Sequence, residues 1–265
     1  MDRIRFVHIP KTGGTTLRAI LRRQYRKRSG FAFSGDFPED TRRFAALPVS
    51  DREQIAWFTG HSPLITGLPE ADEARTITLL RDPIERVKSF CHHVYEGKSP
   101  HLRQRFPPES FSLDRFLWSG HSGLANLQTK FLINQRVNCD SALPLEHLTP
   151  AEACERALDA LFTRVAAFGI QDHFDESLVV FGSSLARQTP YYVRLNARRR
   201  SRPLQFKPHH LERIIHLNRI DLEVYRVAKK KFLATVNDAS FDRRRLRKLR
   251  FVNLLAATLA RRFRD

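Results

Sequence analysis

The sequence predicts an α/β fold: P-loop-like, in three layers, with a central mostly parallel sheet flanked by helices and a helical C-terminal part. Three observations predict it. Residues 4–9 form a short apolar run that stops at Pro10 and two glycines, after which Leu17, Ile20, Leu21 and Tyr25 recur at helical spacing. The same order of strand, turn and helix returns at residues 76–80. There Asp82 and Pro83 supply a cap and first turn, and Ile84, Val87, Cys91, Val94 and Tyr95 mark one helix face. A third unit opens at Thr149, where Thr-Pro-Ala-Glu has the form of a capping box for a helix to about Phe162, followed by a strand over 165–170.

The remaining elements follow in order. Residues 29–52 carry Gly30, Gly35 and Pro38 without a sustained period and are predicted as a long loop, with a short strand at 55–58. Helices are expected over 174–185, 208–217 and 221–236, with an arginine-rich loop at 196–203. From Arg243 to Arg264, Leu246, Leu249, Leu255, Leu259 and Phe263 are set among nine Arg or Lys residues. At 265 residues and 42% apolar content, the chain supports one sizeable core: a single domain over residues 1–240, then a basic amphipathic helix over 241–265.

The charge narrows the partners. Lys and Arg total 46 against 28 Asp and Glu, a net +18, which favours anions: nucleotides, nucleic acid, acidic polysaccharide or an anionic membrane face. Cys91, Cys139 and Cys154 have no metal-type spacing and leave a thiol unpaired, so a reducing compartment is expected. No apolar run reaches the ~20 residues that span a bilayer, and strand-like sequence begins at once, so a cytoplasmic protein is the expectation.

In His8-Ile9-Pro10-Lys11-Thr12-Gly13-Gly14-Thr15-Thr16, two glycines let the backbone approach a ligand, and the following helix offers unpaired N–H groups to an anion. Thr15 and Thr16 add hydroxyl donors, and Lys11 can neutralise charge on a departing oxygen. A nucleotide kinase loop, G-x-x-x-x-G-K-[ST], sets its lysine after the last glycine, whereas Lys11 precedes both.

FVHIPKTGGTTL resembles the 5'-phosphosulfate loop of sulfotransferases that use 3'-phosphoadenosine-5'-phosphosulfate (PAPS), and LLRDPIERVKSF resembles their 3'-phosphate motif. The closest likeness is to the heparan sulfate 2-O-sulfotransferase and uronyl 2-O-sulfotransferase group, running with decreasing strength from Arg5 to about Phe232. The resemblance implies that Lys11, Thr12, Gly13, Gly14, Thr15 and Thr16 hold the phosphosulfate and that Arg81 and Ser89 hold the 3'-phosphate. Arg81 at a strand end and Ser89 about two turns into the helix can both face one ligand beyond the sheet edge. Arg86, four residues after Asp82, reads as structural, and His93 shares the Ser89 face.

Sulfuryl transfer to a hydroxyl needs a proton acceptor, and histidine suits it near neutral pH. Of eleven histidines, His61 is the candidate base, because FTGHSPL resembles the Gly-His segment that carries the catalytic histidine in the 2-O-sulfotransferases. His121, flanked by glycines, is second, and Asn126, Gln128 and Thr129 beside it read either as site residues or as a polar helix face. The expected reaction sulfates a carbohydrate, a glycan or glycolipid hydroxyl, with His61 as base, Lys11 on the leaving phosphate, PAPS as co-substrate and no metal. The arginines from Arg198 to Arg202 are candidates for nucleotide or acceptor contact, or for a solvated charge run. The stretch from Arg243 to Arg264 fits either contact with an anionic membrane or packing on the core. The alternatives are a P-loop kinase and a basic nucleic-acid-binding protein; helix-turn-helix, zinc and RNA-recognition signatures for the latter are lacking.

Overall fold

A computed structural model describes residues 3–26, 28–133, 145, 147–182, 192 and 203–262. In chain order its elements are β1 (Ile4–Val7), α1 (Gly14–Gln24), β2 (Ser29–Phe33), α2 (Phe37–Ala45), α3 (Val49–Gln54), β3 (Ile55–Gly60), α4 (Pro69–Asp72), β4 (Arg75–Leu80) and α5 (Pro83–Tyr95). There follow α6 (Pro100–Arg103), α7 (Leu113–Leu117), α8 (Leu127–Leu132), α9 (Pro150–Thr163), β5 (Ala167–Ile170), α10 (Phe174–Val180), α11 (Pro208–Leu217), α12 (Arg219–Asn237) and α13 (Arg243–Arg262).

The five strands form one all-parallel sheet in the order β2-β3-β1-β4-β5. Parallel strands covered by helices on both faces are buried on both sides, and all four residues of β1, Arg5 included, are buried. Ile4 and Phe6 face Leu17, Ile20 and Leu21 of α1, Leu178 of α10 and Leu249 of α13. On the opposite face Val7 and Leu80 pack with Ala157 and Leu161 of α9 and Val224 and Phe232 of α12. The layers are therefore helix, sheet, helix, as the alternation of elements implies. A further cluster joins α5, α7 and α11 through Val87, Cys91, Phe116 and Ile214.

The caps read from sequence form as expected. Asp82 accepts from Glu85 N at 3.0 Å, and Thr149 and Glu152 complete their reciprocal capping box. The predicted loop over 29–52 is a correction: it holds β2, α2 and α3. β2 is an edge strand burying only Phe31 and Phe33, with a register irregularity at Ser29/Gly30, so its five residues are too few to display a period. α2 starts where the Asp36 side chain accepts from Glu39 N, with Pro38 in its first turn. The arginine-rich segment from Arg198 to Arg202, Cys139 and residues 183–185 lie outside the described residues. Among the described residues, no helix is long and apolar enough to cross a membrane.

Candidate functional site

The candidate residues sit just past the C-terminal ends of the strands. The glycine loop follows β1, His61 follows β3, and Arg81 follows β4, so three neighbouring strands deliver them to one edge of the sheet. β1 is also where the strand order changes direction, and open parallel sheets bind ligands in the crevice at such a point.

The loop is shaped by two left-handed residues, Lys11 at φ 70° and Gly13 at φ 91°. Glycine adopts that conformation without cost, but a lysine there is strained, and such strain concentrates at functional positions. The Thr12 hydroxyl donates to Ile9 O at 2.9 Å and is fully buried, which leaves Thr12 only its main chain to offer a ligand. α1 begins at Gly14 with no side-chain cap and no acidic residue in its first turn. Its first N–H groups and the positive end of its dipole are thus available to an anion. Thr15 is exposed and Thr16 half-buried at the same turn. Gly14 is required by packing, since a Cβ there would stand 2.0 Å from Cδ2 of His8.

His8 and His61 form a pair above the loop, with ring centroids 4.6 Å apart. Nδ1 of His61 lies 2.9 Å from the His8 carbonyl oxygen. A carbonyl can only accept, so Nδ1 carries the proton and Nε2 keeps its lone pair. His61 retains an exposed edge, yet the protein packed around it lowers its pKa, as do the charges of Arg18 and Lys11, while the bond to His8 opposes the shift. The ring is neutral near pH 7 and fit to take a proton. His8 is buried and pushed down to about 3, first by burial and then by His61, Arg18 and Lys11. His93 on α5, depressed to about 4 by burial and next by the Lys11 charge, is a third imidazole within the field of that lysine.

Arg81 joins the two motifs. Its Nη1 donates to the Lys11 carbonyl at 3.1 Å, tying the end of β4 to the loop after β1. Ser89, two turns into α5, is half-buried. Arg86 is fully buried and donates to Gly123 O at 2.9 Å; its structural role is as expected, but Asp82 is engaged as the helix cap instead of pairing with it.

Four further residues shape the surroundings of the site, and of these only Arg5 was not among the candidates read from sequence. Arg5, buried within β1, donates to Leu64 O at 2.7 Å, Asp72 Oδ1 at 2.8 Å, Ser62 Oγ at 3.1 Å and Pro63 O, and so fixes the segment that follows His61. Gln128 and Thr129 are buried, which overturns the reading as a polar helix face. Gln128 bonds the main chain of Arg81, and Thr129 bonds Asp221. His121 is also corrected. It is buried against Phe90 and Phe116, with Nδ1 accepting from Gly123 N at 3.0 Å, so it organises a turn instead of standing in an exposed loop.

Asp114, His209 and His210 bring ligand-type atoms within 4.8 Å of one another. His210 Nδ1 accepts from Lys207 N at 3.1 Å, so its Nε2 bears the proton and donates to Asp114 at 3.2 Å. That arrangement leaves no lone pair on His210 for a metal and reads as a lock between α7 and α11.

Fold and site together define an α/β protein with an anion-suited loop, an arginine and neutral imidazoles gathered at one edge of a parallel sheet. No protein-family model matches the chain, and a search of curated proteins finds none similar to it.

Proposed function

We propose that the protein is a PAPS-dependent O-sulfotransferase acting on a hydroxyl of a carbohydrate, a glycan or glycolipid. The observation that carries the reading is the 3.1 Å bond from Arg81 Nη1 to Lys11 O, which joins a loop suited to the 5'-phosphosulfate to an arginine suited to a second phosphate. The donor set fits such a nucleotide: uncapped N–H groups of α1, Lys11, the Thr15 and Thr16 hydroxyls, Arg81 and Ser89.

PAPS supplies the sulfuryl group and departs as 3'-phosphoadenosine 5'-phosphate (PAP). His61 Nε2 accepts the proton of the acceptor hydroxyl as its oxygen bonds to sulfur, and the bond from sulfur to the bridging phosphate oxygen breaks. Lys11 and the first N–H groups of α1 neutralise the charge that gathers on that phosphate. The net charge of +18 suits an acidic acceptor, and the free thiols of Cys91 and Cys154 agree with a cytoplasmic setting.

Calorimetry with PAP tests the reading. Wild type should bind, and Arg81→Ala should bind roughly 10- to 100-fold more weakly, the loss expected for one charge-assisted contact. Lys11→Ala should also weaken it, whereas His61→Ala should bind normally and lose transfer to an acceptor by roughly 100-fold or more. Wild-type protein that ignores PAP but binds ATP would make the chain a kinase-like protein and end this proposal.

A further inference from the structure

Among its described side chains, helix α13 sorts its cations by face. Those turned toward the body of the protein are engaged: Arg243 donates to the carbonyls of Asp238 and Asn237, Arg245 to Gly182 O, and Arg250 pairs with Asp175 and Glu176. Leu249, on that inner side, is fully buried in the cluster with α1 and α10. Arg244, Arg247 and Lys248 are exposed and make no hydrogen bond or ion pair among the described residues.

The outer cations continue into an apolar patch. Positions 244, 247, 248, 251, 254 and 255 follow one another at helical spacing and share one face. Phe251, Leu254 and Leu255 on it are 61%, 66% and 48% exposed. Three of the seven large apolar side chains exposed among the described residues thus fall within one turn and a half of α13, beside three uncommitted cations. Scattered exposed apolar residues need no explanation, but a contiguous apolar patch rimmed with charge does.

We propose that this outer face of α13 docks on an anionic bilayer surface, with Phe251, Leu254 and Leu255 entering the boundary between headgroups and acyl chains and Arg244, Arg247 and Lys248 meeting lipid phosphates. Charge decides the occupant. A second copy would set the same cations against each other, while a nucleic acid would meet the cations and leave the leucines in water. An anionic membrane satisfies both halves of the stripe, with the helix lying in the plane of the interface. This surface is separate from the nucleotide site and does not depend on the sulfotransferase reading.

Co-sedimentation of the full chain with vesicles of phosphatidylcholine, with and without phosphatidylglycerol, tests it. Wild type should pellet with the anionic vesicles. The variant Phe251→Ser/Leu254→Ser/Leu255→Ser should lose at least about tenfold in partitioning. Arg244→Gln/Arg247→Gln/Lys248→Gln should lose roughly a hundredfold. Val49→Ser/Ile65→Ser, also exposed but elsewhere, should behave as wild type. All changed positions are at the surface, and matching thermal melts confirm that the variants fold. Failure of wild type to bind, or undiminished binding by the apolar triple variant, overturns the proposal. So does a wild-type dimer in sedimentation equilibrium that the apolar variant splits.

Discussion

Gln128 grips Arg81 by its main chain: its Nε2 donates to the Arg81 carbonyl and its Oε1 accepts from the Arg81 N–H, both at 2.9 Å. Gln128 is itself held at the start of α8, where Asp221 of α12 accepts from Gln128 N at 3.0 Å, Thr129 N at 2.8 Å and the Thr129 hydroxyl at 2.7 Å. Asn126 completes the lock by accepting from Ile220 N and Asp221 N. The position of the arginine therefore rests on two helices remote in sequence, and its guanidinium reaches the loop after β1.

Gln128→Leu should separate positioning from charge. It leaves two part-buried main-chain groups of Arg81 without their side-chain partner, a cost of about 1–3 kcal/mol in stability. The same variant should weaken PAP binding although Arg81 is unchanged. Denaturant unfolding and calorimetry read the two effects; full PAP affinity in Gln128→Leu would mean that the clasp does not position the arginine.

The contact between Gly14 and His8 yields a second expectation. Gly14→Ala forces a methyl to within 2.0 Å of the His8 ring and should destabilise the fold by about 1–3 kcal/mol, with the loop displaced. Shortening the opposing side chain should relieve it, so His8→Ala/Gly14→Ala should be more stable than the sum of the two single changes predicts. A double-mutant cycle by urea unfolding measures this, and simple additivity would show that the ring is not what excludes the methyl.

Much of this architecture was legible because it is local. The glycine loop, the Asp82 and Thr149 caps and the apolar strands β1 and β4 announce themselves over a few residues. β2 did not, since an edge strand of five residues with two buried side chains is defined by its partner β3 and not by its own pattern. In the site, Lys11, Arg81 and His61 could be named from motif and residue type. Gln128 was named only as one of two readings and Arg5 not at all, because their roles are bonds across 47 and 59 residues to main-chain groups of other elements. His121 misled for a related reason: flanking glycines suggested exposure, while Phe90 and Phe116 bury it from other helices.

With His61 as the base of the proposed transfer, its tautomer and environment set the expected acidic limb of the rate profile. A base acts only when deprotonated, and a pKa below the ordinary histidine value keeps His61 neutral to lower pH. Transfer should therefore hold steady as pH falls through about 6.5 and decline only below it. Sulfuryl transfer measured against pH on wild type should show this displaced limb, and the residual rate of His61→Ala should lack it. A limb at or above the usual histidine value would assign the proton acceptor to another group.

His8 makes the fold itself acid-sensitive. In the folded state it is neutral down to about pH 3, whereas in the unfolded chain it takes up a proton near 6.5. The unfolded state thus binds more protons throughout that interval, and stability present above pH 6.5 is lost as pH falls toward the folded value. By about pH 5 the loss from His8 alone is on the order of 2 kcal/mol. Thermal unfolding followed from neutral pH downward should show a falling Tm, and His8→Asn, whatever its stability at pH 7, should show a shallower fall. An equal slope in the two proteins would mean that His8 is free to protonate within the fold, and that its pair with His61 opens in acid without unfolding the chain.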